Sequence, residues 1–111
     1  MPGSLERNSV MKSLVVVALL LSSTFAYAGE QAGKVSYYRG RHHPTHQYTA
    51  AHRSLPFGTK VRIVRGNLVC DDVVINDRGP FIRGRIIDVN TACARKLALQ
   101  GPGVAPVKIY W

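Results

Sequence analysis

Acidic side chains are scarce in this sequence: six Asp and Glu residues stand against 15 Lys and Arg residues, for a formal net charge of +9. A balance this basic is typical of proteins that bind polyanions, nucleic acid among them. It also leaves few carboxyl groups for acid–base chemistry. Two of them, Asp77 and Asp88, lie eleven positions apart in the segment NDRGPFIRGRIIDVN, residues 76–90.

Long hydrophobic runs are also missing, with one short exception near the N-terminus. The run from Leu14 to Leu21 follows Lys12 and precedes the triplet Ala26-Tyr27-Ala28. It is shorter than the roughly 20 apolar residues that a transmembrane helix needs. A basic residue, a short apolar region and a small-x-small site together predict a signal peptide over residues 11–28. Residues 1–10 read as an upstream extension, with Met11 as the initiator.

Export decides between the possible polyanions. We expect residues 29–111 to form one small domain in the periplasm or outside the cell, where nucleic acid is not an expected partner. No cysteine stands at the cleavage point, so we do not expect a lipid anchor or membrane attachment. Cell-wall carboxylates, teichoic acids or lipopolysaccharide remain as acidic partners, and a basic surface without a partner is the alternative. We expect a monomer.

Cysteine occurs only twice, at Cys70 and Cys93. These two allow one intramolecular disulfide, which an oxidising compartment favours. Two buried free thiols are the alternative. A domain this small has a marginal core, so a disulfide would add useful stability.

Short strands separated by turns dominate the rest of the chain. Alternating or β-branched runs predict strands at 34–38, 60–64, 68–75, 85–89 and 107–110. One helix is predicted over 91–99, with Asn90 as its N-cap and Gly101-Pro102 after its end. Many short strands with one short helix indicate a mainly β protein, a small barrel.

Three segments resemble one family. They are GKVSYYRG (33–40), TAAHRSLPFGTKVRI (49–63) and INDRGPFIRGRIIDVNTACARKLAL (75–99). Together they are similar to the double-psi β-barrel domain of the rare lipoprotein A family. The resemblance implies a six-stranded double-psi β-barrel with one or two short helices.

The same resemblance implies an activity. Members of that family act as lytic transglycosylases on the glycan strands of peptidoglycan, often strands stripped of peptides, and leave anhydro-muramyl ends. Expansins are similar in fold and bind polysaccharide. The expected partner is therefore a peptidoglycan glycan strand or a related polysaccharide, and no cofactor is implied.

Glycosidic cleavage needs a carboxylic acid to protonate the leaving oxygen. Asp77 and Asp88 are the candidates, and their positions match paired aspartates of bacterial expansins. His52, in TAAH, matches a position that the family's active site uses, so we predict that it assists. Each has a structural alternative: Asp77 can hold the following turn, Asp88 can cap the helix or pair with an arginine, and His52 can be a buried turn residue.

Substrate binding is predicted for side chains that could line a glycan groove: Tyr37, Tyr38, Tyr48, Arg53 and Arg78. Packing within the barrel is the alternative for the tyrosines. His42, His43 and His46 form H-H-x-x-H, but no Cys, Asp or Glu adjoins them and Pro44 interrupts any helix, so no metal site is predicted.

The chain departs from the family pattern in one loop. Before TAAH the family carries a longer loop with a Gly-Glu pair and an Asp, whereas this chain has RGRHHPTHQY, without an acid. The alternative function is therefore a non-catalytic, expansin-like glycan-binding barrel.

Overall fold

The computed structural model describes residues 26–39 and 46–111. It forms a closed barrel of six strands: β1 (Glu30–Tyr37), β2 (Thr49–His52), β3 (Lys60–Arg65), β4 (Leu68–Asp77), β5 (Arg85–Val89) and β6 (Ala105–Tyr110). One α-helix, α1 (Thr91–Lys96), is present in these ranges. The predicted fold class, a mainly β six-stranded barrel, is confirmed. No helix in the described ranges is long and apolar enough to cross a membrane.

Around the barrel the strands follow the order β1-β5-β2-β4-β3-β6. Neighbours in this order are mostly distant in sequence, and two of the pairs, β1 with β5 and β2 with β4, are parallel. Parallel neighbours need a crossover connection in place of a tight hairpin. Consequently β2 is inserted between β4 and β5, the two strands that carry Asp77 and Asp88.

Strand β2 is the element that the sequence pattern did not predict. Thr49, Ala50, Ala51 and His52 are all buried, so the strand shows no alternation of apolar and polar positions. Its two alanines also have little intrinsic preference for β structure. Pairing with strands on both sides forms it, which is a tertiary effect.

The core comes from the inward positions of the strands. In β6, Ala105, Val107 and Ile109 are buried while Pro106 and Lys108 are exposed. Such period-two burial is the pattern of a strand with one face on a core. Apolar side chains of the other strands and of α1 complete the core.

Helix α1 begins where the sequence predicts and ends earlier. The Asn90 side chain accepts a hydrogen bond from the Cys93 amide, as an N-cap does. The helix stops at Lys96 because Ala98 adopts a positive φ of 53°. Nη1 of Arg65 donates to the carbonyls of Leu97 (2.7 Å) and Ala98 (2.9 Å), which satisfies two acceptors at this end.

A disulfide joins Cys70 of β4 to Cys93 of α1, with the Cα atoms 5.9 Å apart. That separation is normal for a disulfide. Both cysteines are buried, and the link spans 23 positions of the sequence. It therefore fastens the helix to the barrel wall.

Reducing this disulfide should lower the free energy of unfolding by about 3 kcal/mol, because the closed loop limits the unfolded chain. For a domain of this size the melting temperature should fall by on the order of 15 °C. Calorimetry with and without reductant measures the change. The double variant Cys70→Ala/Cys93→Ala is the control, and its melting temperature should not respond to reductant. Full reduction is verified by thiol titration. If the melting temperature of the fully reduced protein is unchanged, the disulfide does not stabilise the fold.

Candidate active site

Asp77 and Asp88 lie on either side of Ala51. Ala51 pairs with Asp77 across the β2–β4 contact and with Asp88 across the β2–β5 contact. Neighbouring strands are roughly 4.8 Å apart, so the two aspartate Cα atoms are separated by about 10 Å. The barrel thus brings together two residues that are eleven positions apart in sequence.

A register shift in the β2–β4 pairing determines where Asp77 points. Ala50 pairs with Ile75, and the next residue, Ala51, pairs with Asp77, so Asn76 is passed over. Ala50 also pairs with Val89 of β5. Ala50, Ile75 and Val89 are all buried in the core. Ala51, Asp77 and Asp88 therefore share the opposite, outer face. Without the extra residue, the alternation of β4 would turn Asp77 toward the core.

Asp88 is the half-buried member of the pair. Burial raises its pKa, and the charge of Asp77 raises it further. A hydrogen bond from Ser36 Oγ to Asp88 Oδ1 (3.0 Å) and the nearby charge of Arg85 act in the opposite direction on this pKa. The net effect is an increase, so Asp88 keeps a proton at a higher pH than an ordinary aspartate. This is the property that a general acid requires.

Asp77 is exposed at the end of β4. Its Oδ1 accepts a hydrogen bond from the backbone N–H of Arg78 at 2.8 Å, so it does hold the turn that follows. The carboxylate also reaches the outer face, where its charge acts on Asp88. Structural and chemical roles are compatible for this residue.

Tyr38 is a half-buried residue whose pKa responds to the charges of both aspartates. Its pKa is raised mainly by burial, with the charges of Asp77 and Asp88 adding to the increase and the Thr49 hydroxyl opposing it. Thr49 Oγ1 is buried without a hydrogen bond of normal geometry in the described part of the chain, so it acts on Tyr38 as a nearby dipole. Tyr38 consequently keeps its hydroxyl proton to a higher pH than an ordinary tyrosine.

His52 is neutral and held on both ring nitrogens. Its Nδ1 accepts hydrogen bonds from the amides of Ser54 and Leu55, both at 3.1 Å. Nε2 therefore carries the proton and donates to Gln31 Oε1 at 2.9 Å. Burial lowers the pKa of His52, as do the charges of Arg78 and Arg53. The ring fixes the turn that follows β2.

Arg53 and Arg78 hold two loops against each other. Arg53 donates to the carbonyls of Pro80 (2.7 Å), Ile82 (3.1 Å) and Arg85 (3.3 Å). In the other direction, Nη1 of Arg78 donates to the carbonyls of His52 (3.2 Å) and Leu55 (2.7 Å). The predicted contact of both arginines with substrate remains a prediction beside this observed role.

The remaining predicted residues lie at different distances from the pair. Tyr37 and Tyr48 are half-buried and pack against the hydrophobic core, whereas the pKa of Tyr38 responds to the charges of both aspartates. His42 and His43 lie outside the described residues. Within 26–39 and 46–111, no three His, Cys, Asp or Glu side chains come together as a metal-binding group.

Ser36 is the site residue that the sequence did not indicate. It is buried in β1 and pairs with Asp88 across the parallel β1–β5 contact. Only this register connects the two residues, which are 52 positions apart. A lone serine within KVSYY carries no signal of its own.

Comparison with solved structures finds the same fold in a Streptomyces papain inhibitor. The TM-score is 0.59, with 18% identity over 78% of this chain and 97% of the other. At this identity the similarity concerns the fold alone.

Curated relatives are similar over more than half of the chain. The "probable endolytic peptidoglycan transglycosylase RlpA" of Nostoc sp. is 61% identical over 62 residues, which cover 55% of this chain and 17% of that protein. The endolytic peptidoglycan transglycosylase RlpA of Neisseria meningitidis is 40% identical over 90 residues, covering 71% of this chain and 38% of that protein. The corresponding Pasteurella multocida protein is 46% identical over 63 residues, which cover 56% of this chain and 21% of that protein.

The chain thus spans less than two fifths of the length of these relatives. A family model described as "Lytic transglycolase" matches residues 27–109, which include β1 to β5, all of β6 except its last residue, and both aspartates. On the strength of that match, the chain belongs to the lytic transglycolase family.

Proposed function

We propose that this chain is the barrel of an endolytic peptidoglycan transglycosylase that is exported to the periplasm or the cell exterior and cleaves glycan strands. The observation that carries the proposal is the placement of Asp77 and Asp88 on both sides of Ala51, in a chain of this family. The names of the relatives supply the substrate class. Removal of residues 11–28 and a monomeric state are part of the same proposal.

Asp88 is proposed as the general acid and base. Its protonated carboxyl donates a proton to the glycosidic oxygen, and the bond from that oxygen to the muramyl C1 breaks. The resulting carboxylate takes a proton from the hydroxyl on C6 of the same sugar, and that oxygen bonds to C1. The product is a 1,6-anhydro end, no water is consumed, and Asp88 regains its proton.

Asp77 and Tyr38 are proposed to support the charge that develops in this step. The exposed carboxylate of Asp77 would stabilise positive charge at C1, as the second group of a glycosidase does. Tyr38, with its raised pKa, keeps a hydroxyl proton beside both carboxylates. Neither role requires a metal ion or an organic cofactor.

His52 is proposed as a positioning residue. Its Nδ1 already accepts two backbone hydrogen bonds, and its lowered pKa keeps the ring neutral. A ring occupied in this way holds the turn that carries Arg53, which in turn holds the loop after Asp77. His52 would affect cleavage by fixing the positions of this turn and of the loop after Asp77.

A glycan-binding barrel without cleavage is the second candidate. The observation that favours it is the loop RGRHHPTHQY, which has no acidic residue. Binding and cleavage are distinguished by their products, because binding alone creates no new chain ends.

The decisive variant is Asp88→Asn, assayed on peptide-stripped glycan strands with mass spectrometry of anhydro-muramyl ends. Loss of a general acid should lower the rate by at least about 100-fold. Asp77→Asn should cause a smaller decrease, because it removes a charge without removing the transferred proton. Asp71→Asn is the matched control: Asp71 is also on β4, pairs with Arg62 at 3.3 Å, and should leave the rate unchanged.

Two results would contradict this assignment. Full activity of Asp88→Asn would remove Asp88 from the chemistry. Strand binding by the unmodified protein with no anhydro ends would favour the glycan-binding alternative.

The role of His52 is tested by two substitutions. His52→Ala leaves the amides of Ser54 and Leu55 without their acceptor and should destabilise the protein by about 2 kcal/mol, the cost of a buried unsatisfied donor. His52→Asn places an oxygen near the position of Nδ1 and should recover much of the stability and of the activity. Thermal unfolding and the cleavage assay measure both. If His52→Asn is as stable as the original protein but inactive, His52 takes part in the chemistry and the positioning role is wrong.

A further inference from the structure

Large apolar side chains are exposed beside the aspartates. Phe57 is 60% exposed, Phe81 78% and Ile82 54%, and they are three of the four large hydrophobic residues exposed in the described part of the chain. Phe57 lies in the loop between β2 and β3, and the other two lie in the loop between β4 and β5. Both loops leave the barrel at the strand ends nearest to Asp77.

These loops are fixed to each other before any ligand arrives. Five hydrogen bonds from Arg53 and Arg78 to backbone carbonyls connect them. An exposed aromatic ring on such a support loses little conformational entropy when a ligand covers it.

Arg78 adds a positive charge to this surface. Its guanidinium lies 4.2 Å from the centre of the Phe57 ring, which is a cation–π contact. Nη1 makes both of its hydrogen bonds, and Arg78 is exposed. The other two nitrogens of the Arg78 guanidinium face no acceptor within the described residues and can bind a carboxylate.

Phe81 presents its ring beside the backbone that follows Arg78. The ring lies against the backbone of Gly79, 3.6 Å from the position where a Cβ would stand. Gly79 has a φ of +117°, a conformation that favours glycine. The sequence Asp77-Arg78-Gly79-Pro80-Phe81 thus connects a reactive carboxylate, a cation and an exposed aromatic ring over five residues.

We propose that Phe57, Arg78 and Phe81 form a glycan subsite, named here the aromatic platform, which stacks on an N-acetylhexosamine ring and binds the lactyl carboxylate of a muramyl residue. The inference rests on the proposed function, because it places the bound strand next to Asp77. Pyranose rings offer flat C–H faces that pack on aromatic rings, and the muramyl carboxylate supplies the charge complementary to Arg78. Continuity with the aspartates favours a strand over a protein partner.

Binding is measured in the Asp88→Asn background, so that the ligand is not consumed. The probes are peptide-stripped glycan strands of defined length, the same strands with amidated carboxyl groups, and chitin oligosaccharides, which lack the lactyl group. Phe81→Ala should weaken binding of all three probes by about fivefold to tenfold through lost apolar contact. Phe81→Tyr should restore it.

The matched control is Ile82→Ala, which removes a neighbouring exposed apolar side chain without a flat ring and should change the Kd by less than about twofold. Unmodified strands should bind about threefold to fivefold more tightly than the amidated ones at low salt. That preference should fall as salt increases, since the contact with Arg78 is exposed. Lys108→Gln removes a charge on β6, a strand that carries none of the three platform residues, and should preserve the preference.

Failure of this inference and failure of the proposed function look different. Cleavage by the unmodified protein together with an unchanged Kd in Phe81→Ala would overturn the platform and leave the transglycosylase standing. Strand binding that depends on Phe81 without any cleavage would support the platform and refute the enzyme. Equal weakening by Ile82→Ala and Phe81→Ala, with loss of self-association in both, would assign the surface to contact between two copies and overturn the subsite.

Discussion

A one-residue register shift between β2 and β4 is the constraint on which the site depends. Skipping Asn76 lets Ile75 fill the core and Asp77, two positions later, reach the outer face beside Ala51. A regular strand would place residues 75 and 77 on the same face. Because β2 also pairs with β5, the same alanine brings Asp88 to the opposite side.

The pKa of Asp88 is shifted in the direction opposite to the one that the basic net charge of the protein favours. With 15 basic residues and six acidic ones, the average environment favours ionised carboxylates. Asp88 nevertheless has a raised pKa, because burial and the neighbouring Asp77 outweigh Ser36 and Arg85. The two arginines nearest the turn, Arg53 and Arg78, are occupied with backbone carbonyls. Neither guanidinium group forms an ion pair with Asp77 or Asp88 within the described residues, and such a pair would lower the pKa of Asp88.

Local sequence patterns predicted most of the fold. The strands at 60–64 and 85–89, the Asn90 cap and the barrel class all follow from alternation, β-branched residues and capping chemistry. Local patterns did not predict strand β2, because pairing with strands on both sides forms it. They also did not predict the end of α1, where Arg65 binds the carbonyls that follow the helix. In the site, the resemblance of NDRGPFIRGRIID to the family pattern, together with the scarcity of acids, singled out Asp77 and Asp88 as candidates. Ser36, Phe57 and Phe81 needed the register and the loop geometry, because their residue types are common in roles without chemistry.

The most direct test of this account is an NMR titration of the side-chain carboxyl carbons of Asp77 and Asp88 in the protein, with and without the substitution Asp77→Asn. We predict that Asp88 titrates above the normal range of an aspartate and that its pKa falls when the charge at position 77 is removed. An Asp88 that titrates as an ordinary aspartate and does not respond to Asp77→Asn would mean that the two carboxyl groups do not form one site.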